Sequence, residues 1–387
     1  MSKARPRLIV FGFDAAEAAQ IRRMRSYLDC GFDVMGFMMR RANMNLDFKP
    51  FWDNVHLFQT INGGLPWRVA AVAGSVLKVL LHRRKLVGAD VIVARNLDLL
   101  AVAVAARAMV RPKPRVIYEC LDIHGLMTDP GLKGRVTRAL ERALLARTDA
   151  LIISSPAFLR EYFAPVQKWD GPVALVENKL WIEDGGPGRP APPSADTPDE
   201  WTEETPIRLA WVGTLRCARS LDILAQAAER MGPRLQIALH GAVHHHAVPG
   251  FDAILDRHPN MTWHGAYDYP NDLAPIYAQN NLVWSQDLWQ WGTNSTWLLP
   301  NRIYEASYFG CPSIAVAGTE TGHRVENGLG WTVPEPSADA LCALLNRLTP
   351  AEVAARRQAL LSRPESEFRQ SAAEISNALR AGMPTAA

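Results

Sequence analysis

The chain has 387 residues, of which 48% are hydrophobic and 21% are charged. This composition excludes a wholly disordered chain, which would combine few apolar residues with a high net charge. The length suits about two domains. The formal net charge of +3 is smaller than the basic excess of typical nucleic-acid-binding proteins, so we expect no nucleic acid among the partners.

The charge is unevenly distributed along the chain. Residues 1–120 contain 19 Lys and Arg residues against 9 Asp and Glu residues. A basic N-terminal third predicts an acidic partner on that side, either anionic lipid headgroups or a phosphate-bearing acceptor. A solvated basic surface without a ligand is the alternative interpretation.

The cysteines and the N-terminal segment bear on localisation. The five cysteines are scattered and form no CxxC pair, which argues against a disulfide framework or a structural zinc site and fits a reducing cytosol. The apolar run at residues 8–13 is too short for a signal peptide, and no stretch of about 18 uncharged apolar residues exists. We expect a cytoplasmic protein, with peripheral contact to the inner face of the cell membrane.

Strands and helices alternate through the first half of the chain. The sequence predicts strands at residues 8–13, 32–38, 90–94, 115–120, 150–154 and 173–177. It predicts helices at residues 15–28, 70–86, 99–109, 135–147 and 156–163, the first with Asp14 as its N-cap. Apolar strands separated by helices are typical of a parallel sheet covered on both faces.

The same alternation resumes after residues 183–206, a segment rich in Pro, Gly and acids that we predict to be a linker. Strands follow at residues 208–212, 235–240, 261–264, 282–285 and 313–316, with helices at 221–231, 273–279 and 301–309 and two more near the end. We therefore predict an α/β fold of two Rossmann-like domains, residues 1–182 and 207–365, facing across a cleft. We expect residues 366–387 to form a C-terminal helix and tail that packs back on the first domain.

One candidate site begins where a strand ends in the segment WVGTLRCARS, residues 211–220. Gly213 permits a tight turn and close backbone approach, while Arg216 and Arg219 stand before a helix whose first N–H groups are free. Arginine also supplies bidentate donors. The pattern predicts a diphosphate site, with solvent-facing arginines as the alternative.

A second candidate site lies in the segment PNRIYEASYFGCPSI, residues 300–314. It predicts a helix that ends at Gly310. Glu305 lies in the middle of this helix, one turn after Arg302, and its carboxylate could accept hydrogen bonds from two vicinal hydroxyls. The alternative is an ordinary surface pair between Arg302 and Glu305.

Together these segments resemble GT-B glycosyltransferases, in particular the large family 4 of nucleotide-sugar-dependent enzymes that build exopolysaccharides and lipid-linked glycans. The C-terminal domain of that family begins V-G-R-L-x-x-x-K-G, where this chain has VGTLRCARS. It later carries K-x-x-E-A-x-x-x-G-x-P-V, where this chain has RIYEASYFGCPS. The resemblance puts Arg219 and Arg302 at lysine positions, Glu305 at the glutamate and Thr214 at an arginine.

The resemblance implies roles for individual residues. Arg219 would hold the donor diphosphate, Glu305 the ribose hydroxyls, Tyr267 the base, and Arg302 the phosphate or the donor sugar. Neighbouring residues complete the predicted donor site: Gly213, Thr214, Arg216, His240, Gly241 and Asn301. The implied donor is a UDP- or GDP-linked sugar, and the implied acceptor is a glycan or a lipid-diphosphate-linked glycan.

We expect no metal or other cofactor. Cations and helix N-termini can neutralise the charge that develops on a leaving nucleoside diphosphate. The sequence contains no persuasive DxD motif.

Two departures from the family pattern leave the stereochemistry open. The family often has another glutamate seven residues before the one at Glu305, at the position of Leu298 here. Its Gly-Gly loop after the first strand is replaced by Gly12-Phe-Asp14. For the acceptor we propose contacts with Asp14, Arg95 and Asn96.

The catalytic candidates are Asp122 and His124, which follow the strand at 115–120. Either could take the acceptor proton in an inverting reaction, or position a substrate in a retaining one. The alternative is that Asp122 caps the next turn and that His124 is a polar loop residue.

Two further segments admit two interpretations each. Residues 284–297 contain four tryptophans, which either stack on sugars and bases or pack in the core. Residues 65–86 are amphipathic and basic, and either lie on a membrane surface or cover the sheet. At the level of function, a sugar-nucleotide epimerase of the same fold and a non-catalytic nucleotide-sugar-binding protein are the alternatives to a glycosyltransferase.

Overall fold

The computed structural model describes residues 5–41, 48–60, 65–183, 185–192, 202 and 204–381. The chain divides into two compact units, one comprising Met1–Glu177 with Ser371–Ala387 and the other Asn178–Gln370. The segment predicted as a linker, residues 183–206, falls within the span of the second unit. Of this segment, residues 184, 193–201 and 203 lie outside the described residues.

The first unit alternates strands and helices. Its strands are β1 (Arg7–Gly12), β2 (Asp33–Arg41), β3 (Asp53–Thr60), β4 (Val91–Arg95), β5 (Arg115–Cys120), β6 (Ala150–Ile153) and β7 (Val173–Leu175). Its helices before the second unit are α1 (Ala18–Asp29), α2 (Leu65–Leu81), α3 (Leu97–Ala108), α4 (Gly125–Thr128) and α5 (Leu132–Leu145). A 3₁₀ turn at Arg83–Leu86 and a π-helix at Phe158–Phe163 complete it.

The seven strands form a parallel sheet in the order β3-β2-β1-β4-β5-β6-β7. In this order β2 and β3 lie on one side of β1, and β4 to β7 lie on the other. The chain connections that leave the adjacent strands β1 and β4 therefore run in opposite directions. In sheets of this kind, ligands bind beyond the carboxyl ends of the strands near such a point.

Two expectations for the first unit were wrong. The start of α1 is Ala18, with Glu17 as the N-cap residue, rather than residue 15 with Asp14 as the cap. Asp14 instead closes the turn before the helix, because its Oδ1 accepts a hydrogen bond of 3.0 Å from the amide of Ala16. The strand β3 was not predicted.

The second unit repeats the alternation. Its strands are β8 (Ile207–Val212), β9 (Leu235–His240), β10 (Met261–Trp263), β11 (Leu282–Trp284), β12 (Ser313–Val316) and β13 (Gly330–Val333). Its helices are α6 (Ala218–Met231), α7 (Phe251–Arg257), α8 (Leu273–Ala278), α9 (Asn294–Trp297), α10 (Asn301–Tyr308), α11 (Glu320–Glu326), α12 (Ala338–Arg347) and α13 (Pro350–Ser362). The short strand β13 was not predicted either.

These six strands form a second parallel sheet in the order β10-β9-β8-β11-β12-β13. Successive side chains of a strand point to opposite faces, and β8 shows this clearly. Leu209 and Trp211 join the core on one face, whereas Ala210 and Val212 join the core on the other. The prediction of two Rossmann-like α/β domains is confirmed.

The chain returns to the first unit at its C-terminus. Helix α14 (Ala372–Leu379) begins with a capping box formed by Ser371 and Glu374. Ile375 and Leu379 of this helix join the core of the first unit together with Met24 of α1. Residues 382–387 of the predicted tail lie outside the described residues.

No helix in the described ranges combines the length and the apolar character needed to cross a bilayer.

Candidate functional site

Two glycines bring the carboxyl ends of β8 and β9 into close contact. Gly213 and Gly241 follow these strands with φ angles of 118° and 131°, values that favour glycine. A Cβ atom on Gly241 would lie 1.9 Å from the carbonyl oxygen of Gly213. The amide of Gly213 donates a hydrogen bond of 2.9 Å to the carbonyl of His240. At Gly241 there is therefore room for backbone alone, whereas at Gly213 it is the positive φ angle that favours glycine.

Arg302 belongs to the second of the two sequence segments and lies close to Gly213, the turn residue of the first. It is the second residue of α10, and its Nη2 would lie 3.8 Å from a Cβ atom on Gly213. Its Nη1 is buried and has no hydrogen-bond partner within the described part of the chain. Burying a charged donor without a partner is unfavourable. Oxygens of a bound anion would satisfy it.

Glu305 lies one turn further along α10 and is only 5% exposed. The hydroxyl of Tyr277 donates to its Oε2 over 3.5 Å. Burial, together with the nearby charge of Glu305, raises the pKa of Tyr277, so this phenol stays protonated and acts as a donor. The burial rules out the solvent-exposed surface pair as a description of Glu305.

The arginines of the first motif lie at the start of α6. Arg216 and Arg219 are both exposed, as is Thr214. The N-cap residue of α6 is Cys217, whose Sγ accepts a hydrogen bond of 3.4 Å from the amide of Ser220. The guanidinium of Arg219 lies 5.3 Å above the ring centre of Trp291, a cation–π contact that orients an otherwise solvent-facing side chain.

His240 is a buried residue at the end of β9. Its ring stacks on that of His264 at a centroid distance of 4.5 Å and an angle of 7°. Burial and the neighbouring His264 lower the pKa of His240 to about 4. At neutral pH its ring is therefore uncharged and offers one hydrogen-bond donor and one acceptor.

Tyr267 lies beyond this strand end. The amide of Gly241 donates a hydrogen bond of 2.7 Å to the carbonyl of Gly265, and Tyr267 follows two residues later. Its half-buried ring packs against the core on the α10 face of the sheet. The predicted base-binding residue therefore belongs to the same carboxyl edge of the sheet as His240.

These contacts bring together much of the predicted donor site. Gly213, His240, Gly241 and Arg302 adjoin one another, with Glu305 one turn beyond Arg302. Asn301 begins α10, and Arg219 stands at the start of α6. Positive groups, a neutral imidazole and a buried carboxylate at one edge can bind a diphosphate together with vicinal hydroxyls.

The two catalytic candidates follow β5 in the first unit. Asp122 and His124 are both exposed. His124, rather than Asp122, is the N-cap residue of α4, and its Nδ1 accepts a hydrogen bond of 3.2 Å from the amide of Leu126. A neutral ring that accepts at Nδ1 carries its proton on Nε2. The catalytic roles of both residues stay predictions.

Two of the acceptor candidates have structural roles in the first unit. Asp14 is buried, and burial raises its pKa. Asn96 is exposed, has a φ angle of 71°, and caps α3 through a hydrogen bond from the amide of Leu99. Their contacts with an acceptor remain predictions.

The third acceptor candidate, Arg95, belongs to a buried ion cluster that sequence reasoning missed. Its Nε lies 3.1 Å from Glu119, and its Nη1 donates to Gln20. Arg23 bonds the same carboxylate at 2.8 Å. Burial acts to raise the pKa of Glu119, but the two guanidinium groups lower it below its ordinary value. Arg95 is thus strongly held by the fold, and its predicted contact with an acceptor is untested.

The chain is similar in sequence to a protein of polysaccharide synthesis. It is 37% identical over 341 residues to the succinoglycan biosynthesis protein ExoL of Rhizobium meliloti, covering 87% of this chain and 83% of the relative. No protein-family model matches the chain.

Solved structures share the fold at low sequence identity. The lipopolysaccharide outer core galactosyltransferase WaaB matches with a TM-score of 0.64 and 14% identity, covering 96% of this chain and 99% of WaaB. Anabaena HepE, in complex with UDP and glucose, matches with a TM-score of 0.65 and 16% identity, covering 96% and 97%. These likenesses show that the fold is that of GT-B glycosyltransferases.

The close approach of Gly241 to the carbonyl oxygen of Gly213 leads to a testable prediction. Gly241→Ala should lower the free energy of unfolding by about 2–4 kcal/mol, because the new methyl group would collide with the carbonyl of Gly213 and strain the backbone. Urea denaturation followed by circular dichroism measures the change.

Gly250→Ala is the matched control. Gly250 also has a positive φ, but beyond its own chain neighbours no atom of the described residues lies within 4 Å of the position that a Cβ atom would take. Only the conformational cost of about 1–2 kcal/mol should therefore remain. Equal losses in the two variants would contradict the close approach at Gly241.

Proposed function

The chain belongs to the family of the succinoglycan biosynthesis protein ExoL and has the fold of GT-B glycosyltransferases, and we propose that it transfers a sugar from a uridine diphosphate donor to a glycan acceptor in polysaccharide synthesis. The observation that carries the proposal is the placement of Arg302 and Glu305 on α10. There the guanidinium of Arg302, whose buried Nη1 has no hydrogen-bond partner among the described residues, adjoins the glycine turn that ends β8, and the buried carboxylate of Glu305 lies one turn further along the helix. Family membership favours transfer over epimerisation or mere binding of the nucleotide sugar.

The diphosphate is held by positive charge. Arg302 reaches the Gly213 turn, while Arg216 and Arg219 precede and begin α6, whose N-terminus also favours an anion. The same groups stabilise the negative charge that develops on the leaving nucleoside diphosphate. We propose that transfer needs no metal ion, since guanidinium groups supply this charge.

The ribose is held by Glu305, whose carboxylate accepts hydrogen bonds from two vicinal hydroxyls. The uncharged ring of His240 and the half-buried ring of Tyr267 lie at the same sheet edge and suit contacts to a base. The choice of uridine is supported by HepE, a protein of the same fold whose solved complex contains UDP.

The acceptor hydroxyl loses a proton during transfer. Because Nδ1 of His124 accepts the Leu126 amide, its neutral ring has no free acceptor nitrogen. Asp122 is therefore the better candidate for a base in an inverting reaction, with His124 as a hydrogen-bond donor that positions a substrate.

The first unit carries a surface suited to an anionic membrane. Val69, Ala73, Leu77 and Leu81 are exposed and recur every four residues along α2, so they form one apolar stripe on that helix. Immediately after it, the 3₁₀ turn exposes three cations in succession, Arg83, Arg84 and Lys85. The sequence has no acidic residue from 54 to 89.

Helix α5 extends this surface. It exposes Leu132, Val136 and Leu140, again at a spacing of four residues, and its exposed charged side chains are basic. Both α2 and α5 pack beside α3, so the two apolar stripes lie on the same side of the sheet. We propose that this face rests on the anionic inner leaflet, where a lipid-linked acceptor would be found.

Nucleotide binding is the first test of the proposal. Arg219→Ala and Glu305→Gln should each weaken binding of UDP about tenfold or more, because each removes a charge-assisted hydrogen bond. Isothermal calorimetry measures the affinity, and added EDTA should leave it unchanged.

Arg230→Ala serves as the control, because Arg230 lies in the last turn of the same helix as Arg219 and pairs with Asp339. It should bind UDP like the wild type. Wild-type affinity in both site variants would overturn the assignment of the donor site.

The membrane surface has a separate test. The triple variant Arg83→Gln, Arg84→Gln, Lys85→Gln should bind vesicles containing phosphatidylglycerol at least tenfold more weakly, since each cation near such a surface contributes about 1 kcal/mol. Co-sedimentation measures this, with pure phosphatidylcholine vesicles as the uncharged reference. Unchanged binding to the anionic vesicles, with Arg230→Gln as a control for loss of a surface charge, would refute the assignment.

A further inference from the structure

The loop between β11 and α9 presents two tryptophans to solvent. The side chains of Trp289 and Trp291 are 46% and 37% exposed. Tryptophan side chains are, on average, highly buried in folded proteins. Neighbouring exposed indoles at the carboxyl edge of a parallel sheet therefore mark a binding surface.

Hydrogen bonds hold this loop in one conformation. Oδ1 of Asp287 accepts from the amide of Trp289 at 3.0 Å and from the hydroxyl of Ser295 at 2.5 Å. The same hydroxyl accepts from the amide of Gln290 at 2.7 Å. A preorganised loop loses little conformational entropy when a ligand binds.

The first residues of the loop between β11 and α9 are hydrogen-bonded to β12 and to the residues that follow it. Oε1 of the buried Gln286 accepts from the amide of Val316 at 3.0 Å and from the hydroxyl of Thr319 at 3.1 Å. These bonds fix the start of the loop relative to β12. The tryptophans are thus displayed from a rigid part of the second unit.

The loop adjoins the proposed diphosphate site through Arg219, whose guanidinium stacks over Trp291. In a nucleotide sugar, the reacting carbon is bonded to the diphosphate. Groups beside the arginine that holds the diphosphate therefore lie near the sugars that react.

We propose that Trp289 and Trp291 form a stacking surface for sugar rings of the acceptor glycan. A pyranose ring has a face of C–H groups that packs on an indole. Two indoles, two residues apart, suit successive rings of a glycan chain better than the single ring of a donor. This inference rests on the proposed function.

The test is binding of defined oligosaccharides in the presence of UDP. Saturation-transfer NMR with cellotetraose and maltotetraose, which differ in linkage, probes the wild type and Trp289→Ala. The wild type should bind at least one of them, and Trp289→Ala should weaken that binding about tenfold while leaving the affinity for UDP unchanged.

Trp331→Ala is the matched control. The guanidinium of Arg356 lies 5.4 Å from the ring centre of Trp331, as Arg219 lies over Trp291. Trp331, however, lies within β13 rather than in a loop that follows a strand. The control variant should bind oligosaccharide like the wild type, with circular dichroism confirming its fold. Equal binding by Trp289→Ala and the wild type, or no oligosaccharide binding by a wild type that binds UDP, would overturn the inference alone. A wild type that does not bind UDP would overturn the proposed function as well.

Discussion

The site depends on a half-buried guanidinium, that of Arg302. Arg302 approaches the turn at Gly213, beside Gly241, where a Cβ atom would collide with backbone, and within the described residues its Nη1 has no hydrogen-bond partner. An anionic ligand would remove this unfavourable state, so the energy lost in desolvating the guanidinium is recovered as affinity. Glu305, buried one turn later, adds a hydrogen-bond acceptor that charge attraction to a diphosphate alone would not provide.

In the first unit, by contrast, the buried charged groups of the cluster around Glu119 contact groups of opposite charge. Glu119 lies near the end of β5 between Arg23 and Arg95, at distances of 2.8 and 3.1 Å. Each of these charged groups therefore has an opposite charge beside it, although two guanidinium groups share one carboxylate and the cluster keeps one net positive charge. Asp122 and His124, which follow the same strand, are exposed, and their catalytic roles stay predictions. In our proposal the donor binds to the second unit, where Arg302 and Glu305 lie on α10.

Local patterns made much of this predictable from the sequence. Apolar runs and turn residues located the strands of both sheets apart from β3 and β13, and the segment around Arg302 and Glu305 correctly predicted one helix that carries both residues. Strand β3 was missed although Val55 and Leu57 alternate with less buried residues as a half-buried strand requires. Contacts between residues that are far apart in the sequence could not be predicted, because only the folded chain brings Arg23 close to Glu119 and Arg219 close to Trp291. Burial of Glu305 likewise depends on packing that periodicity does not reveal.

A crystal structure with bound UDP would decide the assignment of the donor site. We expect diphosphate density beside Gly213 and within hydrogen-bond distance of Arg302, with both ribose hydroxyls donating to Glu305. UDP bound elsewhere on the protein, or a nucleotide at this edge whose ribose lies away from that carboxylate, would show the assignment to be wrong.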